Sequence, residues 1–181
     1  MGDMDRGARA QDADVDANDL SILELLENDA RLDARDLADI LGEDEERVAS
    51  SVRRMEDERI ICGYHTVINY NKVLRDERIM AFIEVDVSPM KDEGYDHTAA
   101  LLAKYPEIDS LYLITGDNDF ICLVQGRTMF EVCRFVADRI AVMEHVRGTK
   151  TLFVLKQYKQ SGVLTGAARA TGDEGRLVVS Y

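Results

Sequence analysis

The stretch that decides the N-terminal fold is ARDLADILGEDEERVASSVRRMEDE, residues 34–58. Apolar side chains recur in it every three or four residues, which is the spacing of one face of a helix. The pattern predicts two helices, Ala34 to Leu41 and Glu45 to about Glu58, separated by a break at Gly42. Each helix is preceded by an aspartate suited to cap its first turn, namely Asp33 and Asp44.

The flanking sequence completes a small domain. Residues 18–28, NDLSILELLEN, carry a broad apolar stripe that predicts an earlier helix, capped by Asp16 or Asn18. Residues 59–70 contain two β-rich runs around Gly63, which indicate a hairpin or a strand leaving the domain. Three helices followed by a β segment are typical of a winged helix-turn-helix. We therefore predict this domain over residues 17–64 and a linker strand over 65–77.

From residue 78 the hydrophobic period changes from helical to alternating. Strands are predicted at Ile79 to Val87, Ile108 to Thr115, Asp119 to Gln125 and Thr149 to Lys159. Helices are predicted at Tyr95 to Tyr105, ended by Pro106, and after the capping sequence Thr128-Met129-Phe130-Glu131. The order βαββαβ predicts a ferredoxin-like domain over residues 78–160, so the whole chain is expected to be α+β.

The predicted strands are apolar on both faces. Residues 120–124, FICLV, and 152–155, LFVL, leave no polar face for solvent. Both helices of this fold cover the same face of the sheet, and a second apolar face of that size is unfavourable in water. We expect it to pack on a second copy in a two-fold homodimer, with cover by the N-terminal domain or the C-terminal segment as the alternative.

Composition limits the remaining possibilities. Residues 1–16 predict a disordered leader without the apolar core of a secretory signal, and residues 161–181 a C-terminal tail. No apolar stretch is long enough to span a membrane. The three cysteines lie in apolar settings without metal-ligand spacing, which predicts buried, reduced thiols and no metal site; they are Cys62, Cys122 and Cys133. Reduced thiols would fit the cytoplasm, where we expect the protein.

Charge is the feature that fits a nucleic-acid-binding protein least. The chain has a net charge of -13, whereas such proteins usually carry a basic surface. Residues 17–64 contain fourteen acidic residues and six arginines, a net of -8, whereas residues 65–160 have a net of -2. The predicted helix-turn-helix is therefore the most acidic part of the chain.

In both halves the chain resembles the Lrp/AsnC, or feast/famine, family of transcriptional regulators. The resemblance rests on motifs in order along residues 17–160: NDLSILELL with NDAR, DLA with Gly42, VRRME followed by IICGY, and YLITG with Asp119-Phe120. Each motif is weak alone, but their order and separations make the set specific. The resemblance implies homodimers that assemble further, as far as an octamer, and that bind double-stranded DNA through the third helix. It also implies a small-molecule effector, an amino acid or a similar metabolite.

The outward positions of the third helix are the expected DNA contacts. With Val48, Val52 and Met55 facing inward, hydroxyl and guanidinium groups remain to contact bases and phosphates; they belong to Arg47, Ser50, Ser51, Arg53 and Arg54. The alternative is that these arginines pair only with the acids of the same helix. The family usually has Leu-Ser where this chain has Glu43-Asp44, and four consecutive acids there should weaken binding to phosphates.

The resemblance implies that the effector binds near the turn between the second and third strands of the second domain, at a contact between dimers. A glycine lets the backbone approach a ligand closely, and carboxylates and amides can hold an ammonium group. The residues concerned are Thr115, Gly116, Asp117, Asn118 and Asp119. The same sequence is also ordinary turn chemistry, which remains the alternative for each residue.

No catalytic arrangement is evident, so no enzyme activity and no cofactor are expected. The three histidines lie in different predicted elements without a nucleophile at a recognisable spacing. Two other functions remain as alternatives. One is a haem-biosynthesis decarboxylase resembling this family, although few basic residues lie near Gly116 to hold a polycarboxylate tetrapyrrole. The other is a metabolite-sensing partner protein that has lost DNA binding.

Overall fold

The computed structural model describes residues 15–73, 78–91 and 94–165. They form two compact units that divide between Thr66 and Val67, inside the predicted linker. The expected leader up to residue 14 and the tail from residue 166 lie outside the described residues. Within those residues no helix is both long and apolar enough to cross a membrane.

The first unit is the predicted three-helix domain, with α1 at Ala17–Asn28, α2 at Ala34–Leu41 and α3 at Glu45–Asp57. Aspartates cap all three helices, each accepting a hydrogen bond from a backbone N–H in the first turn. Gly42 ends α2 with a left-handed φ of 69°, a conformation that glycine adopts without a Cβ clash. The core is apolar and drawn from every helix: Ile22, Leu26, Leu37, Ala38, Val48 and Met55.

The expected strands after α3 are absent from the described residues. Residues 60–69 form no β-pairs, and Tyr70–Lys72 is a single 3-10 turn, where a linker strand was predicted. The prediction was wrong because β propensity alone does not make a strand; an extended segment also needs a partner edge. Tyr64 is instead anchored by its hydroxyl, which donates to Glu56 Oε1 at 2.9 Å.

The second unit is the predicted ferredoxin-like domain. Its strands are β1 (Ile79–Val87), β2 (Ile108–Leu113), β3 (Phe120–Gly126) and β4 (Val146–Phe153), in the antiparallel order β2-β3-β1-β4. Helix α4 spans Asp96–Leu102, and α5 spans Met129–Phe135 and continues as a π-helical turn over Val136–Ile140. This is the βαββαβ order of the split motif.

Both helices cover one face of the sheet. The alternate β1 residues Ala81, Ile83, Val85 and Val87 are at most 1% exposed, and they form one core with side chains of β3, α4 and α5. The other face carries Phe82, Leu152 and Tyr112, which are 39%, 41% and 58% exposed. The second apolar face expected from the sequence is therefore present and open in a single chain.

Three elements have a boundary that differs by two or more residues from the predicted one. Helix α4 is shorter than Tyr95 to Tyr105, and β2 ends before Ile114. Strand β4 begins three residues earlier than expected, because Gly148 pairs with Asp86 rather than breaking the strand. The strand also ends six residues earlier, at Phe153. A bulge between Asp86 and Val87 absorbs the irregularity.

A hairpin of two short strands follows β4, with β5 at Lys159–Gln160 and β6 at Val163–Leu164. Ser161 and Gly162 between them have φ angles of 45° and 80°, as a two-residue hairpin turn requires. The start of the predicted tail is thus ordered structure.

The cysteines are only partly as expected. Cys122 is buried in the sheet core, but Cys62 and Cys133 are exposed, so the prediction of three buried thiols was wrong. Cys133 lies on α5 next to the buried Val132, one position off the face that meets the sheet.

Candidate functional sites

Helix α3 presents most of the predicted DNA-contact residues at its surface. Ser50 and Arg53 are exposed, and Ser51 is half-buried. Arg47 is also exposed, but its Nη1 atom lies 3.1 Å from Glu43 Oε2, one turn earlier on the chain. Arg53 forms no ion pair with any residue of the described ranges. It is thus the predicted contact with the least competition for its charge.

Arg54 lies differently from Arg53. Its Nη2 atom is 2.5 Å from Asp19 Oδ2 on α1, and its Nη1 atom is 3.2 Å from Glu58 Oε2. The predicted surface contact is therefore engaged within its own domain. Asp19 was not singled out from the sequence, because a partner 35 residues away on another helix leaves no local pattern.

Asp19 remains ionised despite its burial. Burial by itself would raise the pKa of its carboxyl. Hydrogen bonds from the Asp16 backbone N–H and the Arg54 guanidinium outweigh that effect and hold the pKa below its ordinary value. An ionised carboxylate in the core is tolerated because it is paired and hydrogen-bonded.

The four acids at the start of α3 stabilise the helix. The Asp44 carboxylate accepts from the Arg47 backbone N–H at 3.1 Å, and Glu45 and Glu46 lie in the first turn, where negative charge complements the helix dipole. The Glu43 carboxylate neutralises part of the positive charge of Arg47. The acids therefore favour folding and at the same time reduce the positive potential available to DNA.

In the second unit, the predicted effector turn joins β2 to β3. Thr115, Gly116 and Asp117 are exposed, and Gly116 has a φ of 136° that disfavours any side chain. The last two turn residues point toward the sheet. Asn118 Nδ2 donates to Glu84 Oε2 at 2.9 Å, and Asp119 Oδ2 accepts from the Val87 backbone N–H at 2.8 Å.

Asp119 is the most strongly held residue of the turn. The Val87 N–H is the main cause that lowers the pKa of its carboxyl, outweighing burial, with the Tyr95 hydroxyl and Arg147 adding to it. The hydrogen bond that the Tyr95 hydroxyl donates to the Asp119 carboxylate in turn raises the pKa of Tyr95. Asp119 therefore stays charged while it fixes the turn to β1 and to the residues before α4.

Charged residues of β1 and β4 border this turn. Arg147 pairs with Asp86 and approaches Asp119 Oδ2 at 4.0 Å, and Lys150 Nζ lies 3.1 Å from Glu84 Oε2. These four border residues were not predicted from the sequence. A signal existed, because Glu84 and Asp86 continue the alternation of Met80 and Phe82 on the open face of β1.

This arrangement suits recognition of a small polar molecule by charge and hydrogen bonds. Asp117 offers an exposed carboxylate, and Thr115 and the Gly116 backbone offer hydrogen-bonding groups beside it. Within residues 15–73, 78–91 and 94–165, no three potential ligands among His, Cys, Asp and Glu come together as a metal site would need.

Comparison with known proteins identifies both halves. Residues 15–61 match a winged helix-turn-helix DNA-binding domain, and residues 80–164 match the Lrp/AsnC ligand binding domain. An uncharacterised HTH-type transcriptional regulator of Bacillus subtilis, YugG, is 32% identical over 158 residues, covering 87% of this chain and 93% of its own. The HTH-type transcriptional regulator FL11 of Pyrococcus furiosus is 31% identical over 147 residues, covering 81% and 93%.

Solved structures agree with these matches. The transcriptional regulator NMB0573 of Neisseria meningitidis, in its complex with L-Met, has a TM-score of 0.63 and 26% identity, covering 80% of this chain and 92% of that one. E. coli AsnC has a TM-score of 0.60 and 25% identity, with coverages of 81% and 95%. The names of these relatives describe transcriptional regulators. The chain belongs to the Lrp/AsnC family and is a DNA-binding transcriptional regulator with a small-molecule ligand domain.

Proposed function

We propose that this regulator changes its affinity for double-stranded DNA when an amino acid binds at the turn of residues 115–119. The observation that carries the proposal is the exposed Asp117 carboxylate beside a turn fixed by Asn118 and Asp119. NMB0573, which shares the fold of this chain, was solved with L-Met. An amino acid has an ammonium group that such a carboxylate can bind.

On the DNA side, the exposed face of α3 is the reading surface. Arg53 is its principal phosphate or guanine contact, because it has no ion pair within the described residues. Ser50 is exposed and suited to base edges, whereas the predicted contact Ser51 is half-buried beside Asp19. Arg47 contributes the part of its charge that Glu43 does not neutralise. Each contact is made twice when two copies bind adjacent half-sites.

The assembly that we propose is a cytoplasmic homodimer formed through the open face of the sheet, with dimers associating further to an octamer. Phe82, Leu152 and Tyr112 supply an apolar centre to that face, and the Glu84–Lys150 pair lies beside it. Antiparallel sheets normally bury one face and expose a polar one. Here both faces are apolar, which favours a partner with the same surface.

Assembly into several copies also compensates for the negative charge of the helix-turn-helix domain. With a net of -8 over residues 17–64, a single helix-turn-helix should bind DNA weakly, since affinity depends on neutralising phosphates. Linked domains bind with an effective concentration that raises overall affinity without new contacts. The acidity likewise favours a second candidate function, a metabolite-sensing partner that acts on another factor without contacting DNA.

A binding titration separates these candidates. We expect fluorescence anisotropy at low salt to show binding to a labelled duplex taken from upstream of the gene that encodes this chain. Binding should occur at micromolar or lower protein concentration. Adding single amino acids from a panel should change the dissociation constant for at least one of them. Absence of DNA binding by a folded oligomer, together with amino-acid binding, would instead support the partner function.

Three variants assign the sites. Arg53→Gln should weaken DNA binding, whereas Arg31→Gln, which removes an exposed arginine paired with Asp29 outside α3, should not. Asp117→Asn should reduce the amino-acid response and leave DNA affinity without effector unchanged. If Arg31→Gln weakens binding as much as Arg53→Gln, the assignment of α3 as the reading surface is wrong.

A further inference from the structure

We propose that Asp19 of α1 is a positioning residue for the reading helix: it holds Arg54 of α3 and thereby removes that guanidinium from the DNA-contacting surface. The proposal rests on the proposed DNA reading by α3. It assigns the adjacent Arg53 and Arg54 opposite tasks, the first directed to DNA and the second to the domain itself.

The first support is the geometry of the pair. Asp19 is 1% exposed, and its Oδ2 atom lies 2.5 Å from Arg54 Nη2 and 3.1 Å from the Asp16 backbone nitrogen. The carboxylate is thus bound at once to the N-terminus of α1 and to the C-terminal half of α3. A charge-assisted contact to a buried carboxylate constrains the direction of the guanidinium as well as its distance.

The second support is that Arg54 is occupied on both sides. While Nη2 contacts Asp19, Nη1 contacts Glu58 at 3.2 Å. A DNA phosphate would have to displace a carboxylate that is buried and stays ionised. Leaving Asp19 buried and unpaired is unfavourable, because the interior offers its charge no water.

The third support comes from neighbouring side chains. Asp19 Oδ1 is also buried and accepts no hydrogen bond from the described residues. The Ser51 hydroxyl is one of the groups that lower the pKa of the Asp19 carboxyl. Ser51 and Arg54 lie one helical turn apart on α3, so both orient one edge of that helix toward α1. With that edge fixed, Arg53 is directed outward.

The test uses the full-length protein and four variants: Arg53→Gln, Arg54→Gln, Asp19→Asn and the double variant Asp19→Asn/Arg54→Gln. The dissociation constant for the labelled upstream duplex is measured across a series of KCl concentrations. Each phosphate contact contributes about 0.9 to the slope of log affinity against log salt. Urea unfolding of the same proteins, followed by circular dichroism, measures how much the Asp19–Arg54 pair contributes to stability in the absence of DNA.

We expect Arg53→Gln to lower the salt slope by about 0.9, and Arg54→Gln to leave it unchanged. Arg54→Gln and Asp19→Asn should each weaken binding about tenfold at every salt concentration, because α3 loses its fixed position. The double variant should recover most of that loss, since an amide pair keeps a hydrogen bond without a buried charge. Its urea midpoint should exceed the value expected from adding the single effects.

Two results would overturn the proposal. A fall in slope for Arg54→Gln equal to that for Arg53→Gln would place Arg54 on a phosphate, and unchanged affinity of Asp19→Asn would remove its positioning role. If the wild-type protein is folded and binds no duplex, the proposed DNA reading fails, and this role of Asp19 fails with it. Non-additive urea midpoints in that case would assign the pair to stability alone.

Discussion

Replacing Phe82 by alanine should weaken the proposed dimer with little change in the fold. The ring is 39% exposed in a single chain, and complete burial of such a side chain is worth about 1.5–3 kcal/mol. The remaining exposed fraction corresponds to about 0.6–1.2 kcal/mol per copy. Because a two-fold interface contains the residue twice, the loss is about 1.2–2.4 kcal/mol per dimer, or roughly 7- to 50-fold in the dissociation constant.

Sedimentation equilibrium of the wild type and variant over a dilution series measures this change. The matched control is Phe130→Ala, which removes the same ring from a more exposed position, 73%, on the helical side of the domain. We expect the control to dimerise as the wild type does. An unchanged constant for a folded Phe82→Ala protein, or a larger effect at Phe130, would refute assembly through the open sheet face.

Three further predictions concern packing and titration. Gly126→Ala should lower the unfolding midpoint in urea, because a Cβ there would lie 2.9 Å from Val132 Cγ2; an unchanged midpoint would mean that α5 shifts freely. Asp19→Asn should be less stable than the wild type at neutral pH, with the difference shrinking below pH 3.8. The folded-state pKa of Asp19 is lowered, so the stability that its ionised carboxylate contributes is present above the ordinary pKa of 3.8 and is lost as pH falls through the folded value. A difference in stability between the two proteins that persists at low pH would contradict this. Ellman's reagent at pH 8 should label two thiols quickly and Cys122 slowly, because burial raises the pKa of Cys122 to about 11, and three fast thiols would oppose it.

Most of the architecture could be predicted because its signals are local. The caps Asp33 and Asp44 and the left-handed Gly42 are each readable within four residues, and they placed α2 and α3 correctly. Likewise the alternation in Ile79–Val87 gave the limits of β1. Periodicity and capping depend only on near neighbours along the chain.

What could not be predicted depends on partners distant in sequence. Whether residues 60–69 form strands depends on an edge to pair with, and the start of β4 depends on Gly148 meeting Asp86 across the sheet. The same holds for the sites. Helical spacing placed Arg54 at the surface, but only the fold shows that Asp19 engages it.

The proposed function requires that a small molecule bound at the turn of residues 115–119 and DNA bound at α3 change each other's affinity for the protein. Isothermal titration of the responding amino acid into the free protein and into its saturated DNA complex tests that coupling directly. We predict dissociation constants that differ about 5- to 150-fold, by the same factor with which the amino acid changes DNA affinity. Identical constants for free and DNA-bound protein would contradict the claim, since they would show two sites that do not communicate.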